Sequence, residues 1–305
     1  MPWLLALGIL MEHVPVLSSE IVRILSPRDN SSLLDCTFGG GGHTKVLLET
    51  CRCYVCGLDR DPDAIQRAHE VKKKYNDRFD FVLERFSKIA EVFECGRRFD
   101  GVVFDFGISS FQIEDSSRGF SFIREAKIDM RMSKTGTSAY DVLNSFSEGD
   151  IADILWIYGE EPQSRRIASM IVKHRIKSRI ETTTQLRDIV RKVYQFESIN
   201  KKHSKIDVAT KTFQAIRIFV NDELNEISEA LNQLPEILNN NARIATISFH
   251  SLEDKIVKNW AKSRKDCVLP INKSVIKPYN DEILRNPRSR SAILRGFVYT
   301  KDRGL

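Results

Sequence analysis

The stretch that decides the fold is Asp35-Cys-Thr-Phe-Gly-Gly-Gly-Gly-His43, which follows the apolar residues Leu33 and Leu34. Four consecutive glycines allow positive φ angles and a very close approach of the backbone to a ligand. A helix is predicted to begin near His43, so N–H groups of the turn would face a bound group at the helix N-terminus. Strand, glycine turn and helix together indicate a nucleotide-binding site.

Apolar strand patterns alternate with helical patterns through the first third of the chain, which predicts an α/β fold. The predicted strands are Leu33–Phe38, Tyr54–Leu58, Phe79–Leu83 and Gly101–Phe106, and the predicted helices are Thr44–Thr50, Asp61–Tyr75 and Ser87–Cys95. Asp61 is a plausible N-cap, with Pro62 in the first turn of its helix. A β-α-β series of this kind requires parallel strands joined by helical crossovers.

After Phe106, about a hundred residues pass before another strand-like segment. The later predicted elements are the helices Ile151–Tyr158, Arg165–Arg179, Thr184–Tyr194 and Thr212–Leu231, strand Arg243–Phe249, helix Leu252–Lys262 and strand Ile293–Thr300. The helices of this interval have 3.6-residue periodicity. We therefore predict a sheet domain made of residues 12–112 and 212–305, with an inserted helical domain at residues 113–211.

The composition is that of an ordinary globular protein: 305 residues, 42% hydrophobic and 29% charged. This length supports a large core, and the composition excludes a disordered chain. The net charge of +6 is unevenly distributed, because Glu161–Val220 and Lys255–Leu305 each carry +9 and the rest carries −12. Such asymmetry suggests a polyanionic partner such as nucleic acid, although solvated helix faces explain it equally well.

Two further features limit the class of protein. Six cysteines are present, but Cys51, Cys53 and Cys56 lack a fourth ligand at zinc-site spacing, so we expect no metal and reduced thiols in a cytoplasmic protein.

The apolar first ten residues lack the basic segment and the cleavage site of a signal peptide, and they are too short to span a bilayer. A start at Met11 would explain them as an extension.

The residues around the glycine turn narrow the choice of nucleotide. A phosphate-binding Walker loop ends in Gly-Lys-Ser/Thr, which Gly42-His43-Thr44-Lys45 does not supply. The dinucleotide fingerprint fits only in part, because Thr44 occupies the place of its third glycine, so NAD is a weaker alternative. Asp59, at the end of the second strand, can accept hydrogen bonds from ribose hydroxyls; its alternative role is to cap the following helix.

Asp105-Phe-Gly-Ile-Ser-Ser110 ends the fourth strand. Ligands of parallel sheets bind beyond the carboxyl ends of the strands, so Asp105 is expected to face the same crevice as Asp35 and Asp59. An ordinary loop would also contain Gly and Ser.

The chain resembles the bacterial ribosomal RNA small-subunit methyltransferase H (MraW) family from His13 to about Arg295. The matching motifs besides the glycine turn are His13–Leu17, Arg118–Phe122, Asp129–Met132, Thr212–Arg217, Ile247–Asp254 and Asn286–Ser291. The resemblance implies a class I, Rossmann-like methyltransferase sheet with an inserted helical domain. It also implies methyl transfer from S-adenosylmethionine to the exocyclic amine of a cytidine in the decoding region of 16S ribosomal RNA.

The resemblance further implies a set of cofactor-binding residues: Gly41, Gly42, His43, Asp59, Phe86, Asp105 and Gln112. An aromatic face suits adenine, and a carboxylate suits ribose hydroxyls or the sulfonium group. The chain departs from the family pattern at Gly40, where relatives often carry Arg, and at Phe111, where they usually carry Pro. The second departure makes Gln112 the weakest assignment.

The reaction defines what the site must supply. The cytosine amine is a poor nucleophile because its lone pair is delocalised, so an acceptor for its N–H groups would help it attack. Asp105 is the best candidate for this catalytic role, although it could instead serve the cofactor alone. Ser109, Ser110 and His250 are further candidates near the substrate.

RNA contacts are expected from the basic segments and from aromatic side chains. The basic candidates are Arg165, Arg166, Lys173, Arg175, Lys177, Arg179, Arg288 and Arg290, and the stacking candidates are Phe120 and Phe122. The expected partner is 16S ribosomal RNA or the small ribosomal subunit, without a membrane, and a homodimer is compatible with the sequence. The alternatives are a non-catalytic RNA-binding protein, an NAD-dependent oxidoreductase, and a methyltransferase acting on DNA or protein.

Overall fold

A computed structural model describes residues 15–195 and 207–301. Its strands are β1 Ser32–Asp35, β2 Tyr54–Asp59, β3 Phe79–Leu83, β4 Phe99–Asp105, β5 Leu238–Ser248, β6 Val268–Pro270 and β7 Ile293–Tyr299. They form one sheet in the order β3-β2-β1-β4-β5-β7-β6. Strands β1 to β5 pair in parallel, whereas β7 is antiparallel to β5 and to β6.

Helices connect the strands and form a separate group between β4 and β5. The helices are α1 Ser18–Leu25, α2 Gly42–Thr50, α3 Ala64–Tyr75, α4 Ile89–Val92, α5 Ser110–Glu114, α6 Ala139–Ser145, α7 Glu148–Gly159, α8 Ser164–Arg175, α9 Thr183–Gln195, α10 Thr210–Asn221, α11 Glu223–Ile237, α12 Ser251–Ser263 and α13 Asn280–Arg285. Among the residues described, no helix is long and apolar enough to cross a membrane. The predicted α/β class with a Rossmann-like sheet is confirmed.

Three hydrophobic clusters stabilise this arrangement. One face of the sheet packs against α11 and α12 around residues such as Phe104 and Leu231. The other face packs against α1, α2 and α3, with Leu47 and Val71 in its centre. A third cluster joins α6 to α10 and includes Phe213, so the core of the helical group extends beyond residue 211 into α10. Each cluster removes apolar surface from water, which is the main driving force for folding.

The element bounds differ from prediction at several points. The predicted first strand ended at Phe38, but β1 ends at Asp35, although the backbone N–H groups of Cys36 and Phe38 still donate to Val103 and Leu58 of the neighbouring strands. The predicted helix Ser87–Cys95 is only the short α4 preceded by a 3₁₀ turn at Phe86–Lys88.

The predicted single helix Thr212–Leu231 is wrong, because the chain forms two helices that meet at Asp222. Asp222 has a left-handed conformation, with φ 51°. The side chain of Asn221 beside it is tied to the loop before α6, where it donates to the carbonyl of Met130 and accepts from the N–H of Met132. Tertiary hydrogen bonds therefore end α10 in a sequence whose apolar periodicity continues.

The predicted N-cap of α3 is also wrong. The helix begins at Ala64, and its N-cap position is Asp63, not Asp61. The Asp61 carboxylate accepts the backbone N–H of Asp63 at 3.1 Å, but it is 2% exposed and lies among side chains of other segments. Pro62 accordingly precedes the helix.

Candidate active site

The glycine turn joins β1 to α2 at the carboxyl edge of the sheet. Gly39 and Gly41 have φ angles of 53° and 72°, which only glycine adopts without cost. A Cβ atom on Gly41 would also lie 2.8 Å from a ring carbon of Phe38. Gly41 is the N-cap of α2, and no side chain accepts a capping hydrogen bond there. The first N–H groups of α2 are therefore suited to a polar ligand at this helix end.

Asp59 ends β2 directly beside this turn. Its Oδ2 accepts the N–H of Gly39 at 2.7 Å, and its Oδ1 accepts the N–H of Asp61 at 2.9 Å. Burial raises the pKa of Asp59 to about 6, against the lowering effect of these two hydrogen bonds. Each carboxylate oxygen retains a further lone pair for a hydroxyl donor. Asp59 therefore both fixes the glycine turn and offers acceptor sites next to it.

Asp35, His43 and Asp105 form a polar group below the turn. Asp35 is fully buried and accepts the hydroxyl of Thr44 at 2.7 Å. His43 Nε2 lies 3.4 Å from Asp105 Oδ2. Burial alone would lower the pKa of His43, but the adjacent Asp105, together with Asp35 and Glu282, raises it. The neighbouring carboxylates thus favour the protonated form of His43.

One oxygen of this group has no partner in the described part of the chain. Asp105 Oδ1 is buried and accepts no hydrogen bond from any described residue. An unpaired buried carboxylate oxygen is costly, so such an atom is typical of a binding site. The main chain at this position is fixed, because the N–H of Asp105 donates to the hydroxyl of Thr37 at 2.7 Å. Asp105 therefore presents a free acceptor at a defined place.

Phe86 begins the 3₁₀ turn that follows β3. It is half-buried, and its ring contacts Phe104 edge-on, with centroids 5.9 Å apart. Phe106 lies 6.3 Å away on the same side. The ring is thus supported by the sheet while part of its surface stays accessible, as an aromatic platform requires.

Gln112 lies on α5, after β4, and is almost fully occupied by protein contacts. It forms a capping box with Ser109, whose hydroxyl accepts the N–H of Gln112 while the Gln112 carbonyl oxygen accepts the N–H of Ser109 at 2.9 Å. The amide Nε2 donates to Asp61 at 2.8 Å. One hydrogen of this amide is left for another acceptor.

Asp61 links the segment after β2 to the group of helices between β4 and β5. Arg118 Nη1 donates to both of its oxygens, at 3.1 and 2.8 Å, and both side chains are at most 5% exposed. Arg118 also donates to the carbonyls of Arg131 and Met132. One guanidinium therefore ties the segment after β2 to the loop that leads into α6. Sequence reasoning missed this contact, although Arg118 opens one of the motifs, because nothing in the sequence pairs it with Asp61.

A second, largely buried ion pair lies near Gly107. Arg217 is hydrogen-bonded through Nε and Nη2 to Glu223, each at 2.8 Å. A Cβ on Gly107 would lie 4.0 Å from Arg217 and 3.9 Å from Phe249. His250 is the N-cap of α12 and forms a capping box with Glu253. Its side chain thus has a structural role, which is the commoner role for a lone histidine and the alternative to its predicted place near the substrate.

Several predicted RNA contacts have partners within the protein. Phe120 is buried, and the Phe122 ring packs on Phe213 with centroids 4.6 Å apart, so both belong to the helical core. Arg175 donates to the carbonyls of Leu143 and Phe146. Such contacts satisfy carbonyls at the end of α6, as helix C-termini require.

Other basic side chains of α8 and its continuation are exposed. These are Arg165, Arg166, Lys173, Lys177 and Arg179. Arg288 pairs with Glu114 at 3.4 Å, and both side chains are largely exposed. Exposed pairs of this kind are weak, so Arg288 can exchange Glu114 for a phosphate at little cost.

No group of three or more His, Cys, Asp or Glu side chains with the arrangement of a metal site occurs in residues 15–195 and 207–301. The positions Met1 to Val14, including the start of the His13–Leu17 motif, lie outside the described residues.

Comparison with known proteins places the chain among methylases. Residues 10–300 match the model of the MraW methylase family. The chain is similar to the ribosomal RNA small subunit methyltransferase H of Rickettsia massiliae, with 48% identity over 84% of this chain and 82% of the relative. The corresponding protein of Rickettsia akari is 44% identical over 94% of this chain and 98% of the relative.

Similarity to solved structures is much lower. An rRNA methylase from Streptococcus thermophilus matches 93% of this chain and 94% of its own, with 9% identity and a TM-score of 0.44. A match of this strength supports no conclusion about function.

Proposed function

The chain belongs to the MraW methylase family, and we propose that it transfers a methyl group from S-adenosylmethionine to the exocyclic amine of a cytidine in the decoding region of small-subunit ribosomal RNA. The observation that supports this assignment best is the unpaired Asp105 Oδ1 at the carboxyl end of β4, beside an uncapped helix N-terminus. We place the enzyme in the cytoplasm, where this RNA is found.

The residues around the glycine turn fit S-adenosylmethionine. Gly41, Gly42 and His43, at the N-terminus of α2, would receive its methionine portion. Asp59 would hold the ribose hydroxyls, and the supported ring of Phe86 would lie against the adenine. Gln112 has one amide hydrogen left for the cofactor. The Asp105 carboxylate, beside His43, would be a second acidic group for the cofactor besides Asp59. The bound cofactor supplies an electrophilic methyl group.

The chain's own residues prepare the amine for attack. The Asp105 carboxylate, whose side chain is 26% exposed, would accept an N–H of the cytosine amine and so direct the nitrogen lone pair toward the methyl carbon. As the new N–C bond forms and the S–C bond breaks, the amine loses one proton, which Asp105 can accept. His43 Nε2, 3.4 Å from Oδ2, would help to orient the Asp105 carboxylate.

Cofactor affinity is expected to depend on pH through Asp59. The ribose hydroxyls bind the ionised carboxylate, and the pKa of Asp59 is about 6 without ligand. Affinity should therefore be constant well above pH 6 and fall below it, approaching about tenfold per pH unit. Calorimetric titration with S-adenosylhomocysteine between about pH 5 and 8 measures this dependence.

The matched control for this titration is Asp59→Asn, which keeps the shape but cannot ionise. It should bind more weakly and without the component of pH dependence centred near pH 6. A wild-type profile that persists in Asp59→Asn would mean that another group, such as His43, causes it.

RNA binding is expected to depend strongly on salt. The exposed basic residues of α8 and the segment after it, among them Arg165, Lys173 and Lys177, are the proposed phosphate contacts. About five such contacts predict that raising monovalent salt from roughly 50 to 200 mM weakens binding by about 100-fold. Filter binding to small-subunit RNA measures this, with Lys173→Gln expected to reduce the slope. An affinity unaffected by salt would contradict the electrostatic account.

The substrate class is tested by incubation with methyl-labelled cofactor. Small ribosomal subunits from a strain lacking the enzyme should become labelled in their RNA, whereas large subunits, DNA and ribosomal proteins should not. Label in DNA or protein would replace the RNA assignment. Cofactor binding without any transfer would favour a non-catalytic RNA-binding protein.

A further inference from the structure

Phe111, on α5, lies directly on the glycine turn. An ideal Cβ built on Gly40 would lie 2.2 Å from Phe111 Cε2 and 3.1 Å from Cζ. No side chain, not even that of alanine, fits at position 40 while the ring stays in this place. Gly40 and the Phe111 ring are therefore in direct contact.

Arg67, on α3, holds the ring and the turn together. Its guanidinium carbon lies 4.5 Å from the centroid of the Phe111 ring, which is the geometry of a cation–π contact. The Nε of the same side chain donates to the carbonyl of Gly39 at 2.8 Å. One arginine therefore bridges the aromatic ring and the turn that the ring covers.

Burial in the core does not explain why an aromatic side chain occupies position 111. The side chain is 42% exposed, so much of the ring gains nothing from burial. Its backbone is fixed independently, because the capping box of Ser109 and Gln112 sets the start of α5. The ring also borders a cavity of about 250 Å³ that Arg67 and Gln112 help to line. Its contacts are those of a group that restrains the turn.

We propose that Phe111 is a positioning residue of the cofactor site, whose ring, held between Gly40 and Arg67, keeps the glycine turn in its binding conformation. This inference rests on the proposed function. The restraint acts through Gly39, whose carbonyl bonds Arg67 and whose N–H bonds Asp59. Without the ring, Arg67 loses its stacking partner, and the turn and Asp59 are held less firmly.

Substitutions at position 111 test the requirement for an aromatic ring. Phe111→Ala and Phe111→Leu are expected to weaken binding of S-adenosylhomocysteine about tenfold, which corresponds to roughly 1.4 kcal/mol. Phe111→Tyr keeps the ring face and should bind like the wild type. Single-turnover transfer at saturating cofactor should stay unchanged, because the restraint affects binding and not the reacting groups.

The control variant is Ile65→Ala, an apolar truncation on the same helix as Arg67, at a side chain that is 36% exposed. It should leave the affinity unchanged. Thermal unfolding of each variant checks that the fold is retained. If Phe111→Leu bound S-adenosylhomocysteine as tightly as the wild type, the bulk of the side chain alone would suffice. That result would overturn the role of the ring.

A double-mutant cycle tests the contact with Gly40. Gly40→Ala alone should weaken binding about tenfold, because the new Cβ displaces the ring, whereas Gly40→Ala/Phe111→Ala should bind no worse than Phe111→Ala. Additive losses of about a hundredfold would contradict the proposal. Failure of the wild type to bind S-adenosylhomocysteine would contradict the proposed function itself, and so the two failures are distinguishable.

Discussion

Asp105→Asn is expected to slow methyl transfer in a single turnover by about 100-fold or more, because the amide cannot accept the amine proton. The substitution keeps the size of the side chain and its position at the end of β4, where Thr37 fixes the backbone. Rapid-quench measurement with saturating cofactor and labelled small subunits isolates the transfer step. The structural basis is the free Oδ1 atom, which no described residue contacts through a hydrogen bond.

The same variant distinguishes the two roles of Asp105. Calorimetry with S-adenosylhomocysteine measures whether Asp105→Asn has also lost cofactor affinity. A slow transfer with nearly normal affinity identifies the carboxylate as the acceptor for the amine. Normal transfer with weak affinity would restrict Asp105 to the cofactor and leave the reaction to backbone carbonyls or to Ser109 and Ser110.

Arg118→Ala is expected to lower the free energy of unfolding by about 3–5 kcal/mol, because it leaves the buried carboxylate of Asp61 without its counter-charge. It also removes the hydrogen bonds to the carbonyls of Arg131 and Met132. Urea denaturation followed by circular dichroism measures the change in the free energy of unfolding, provided that the wild type and the variant each unfold in one transition.

The control is Arg131→Ala, which breaks a partly exposed pair with Asp129. Its loss should be about 1 kcal/mol or less. A loss in Arg118→Ala no greater than that of the control would show that Arg118 does not hold the segment after β2 to the loop before α6.

The sequence predicts six of the seven described strands because their signals are local, whereas the short β6 was not predicted. Period-2 and continuous apolar patterns locate β3 at its observed bounds and β2 to within one residue. The four glycines correctly indicate a turn with left-handed backbone at the start of α2. The sequence does not predict where α10 ends, because the hydrogen bonds of Asn221 to the loop before α6 decide that point.

In the candidate site, too, local features were predicted and long-range contacts were not. The acidic ends of β2 and β4 follow from the chain order of the strands, and the structure brings Asp59 and Asp105 to one edge of the sheet. Contacts around the site between residues that are distant in sequence were not predicted. Arg118 lies 57 residues after Asp61, and the contact between Gly40 and Phe111 depends on the direction of one ring. The specific roles of the predicted cofactor residues stay predictions.

The most direct test is to identify the methylated atom. Small subunits from a strain lacking the enzyme are treated with the protein and S-adenosylmethionine, and their RNA is digested to nucleosides for mass spectrometry. The expected product is N4-methylcytidine at a single position of the decoding region, formed much more slowly when Asp105→Asn replaces the wild type. Methylation of a ring carbon or a ribose hydroxyl, or of a nucleotide outside that region, would contradict the account.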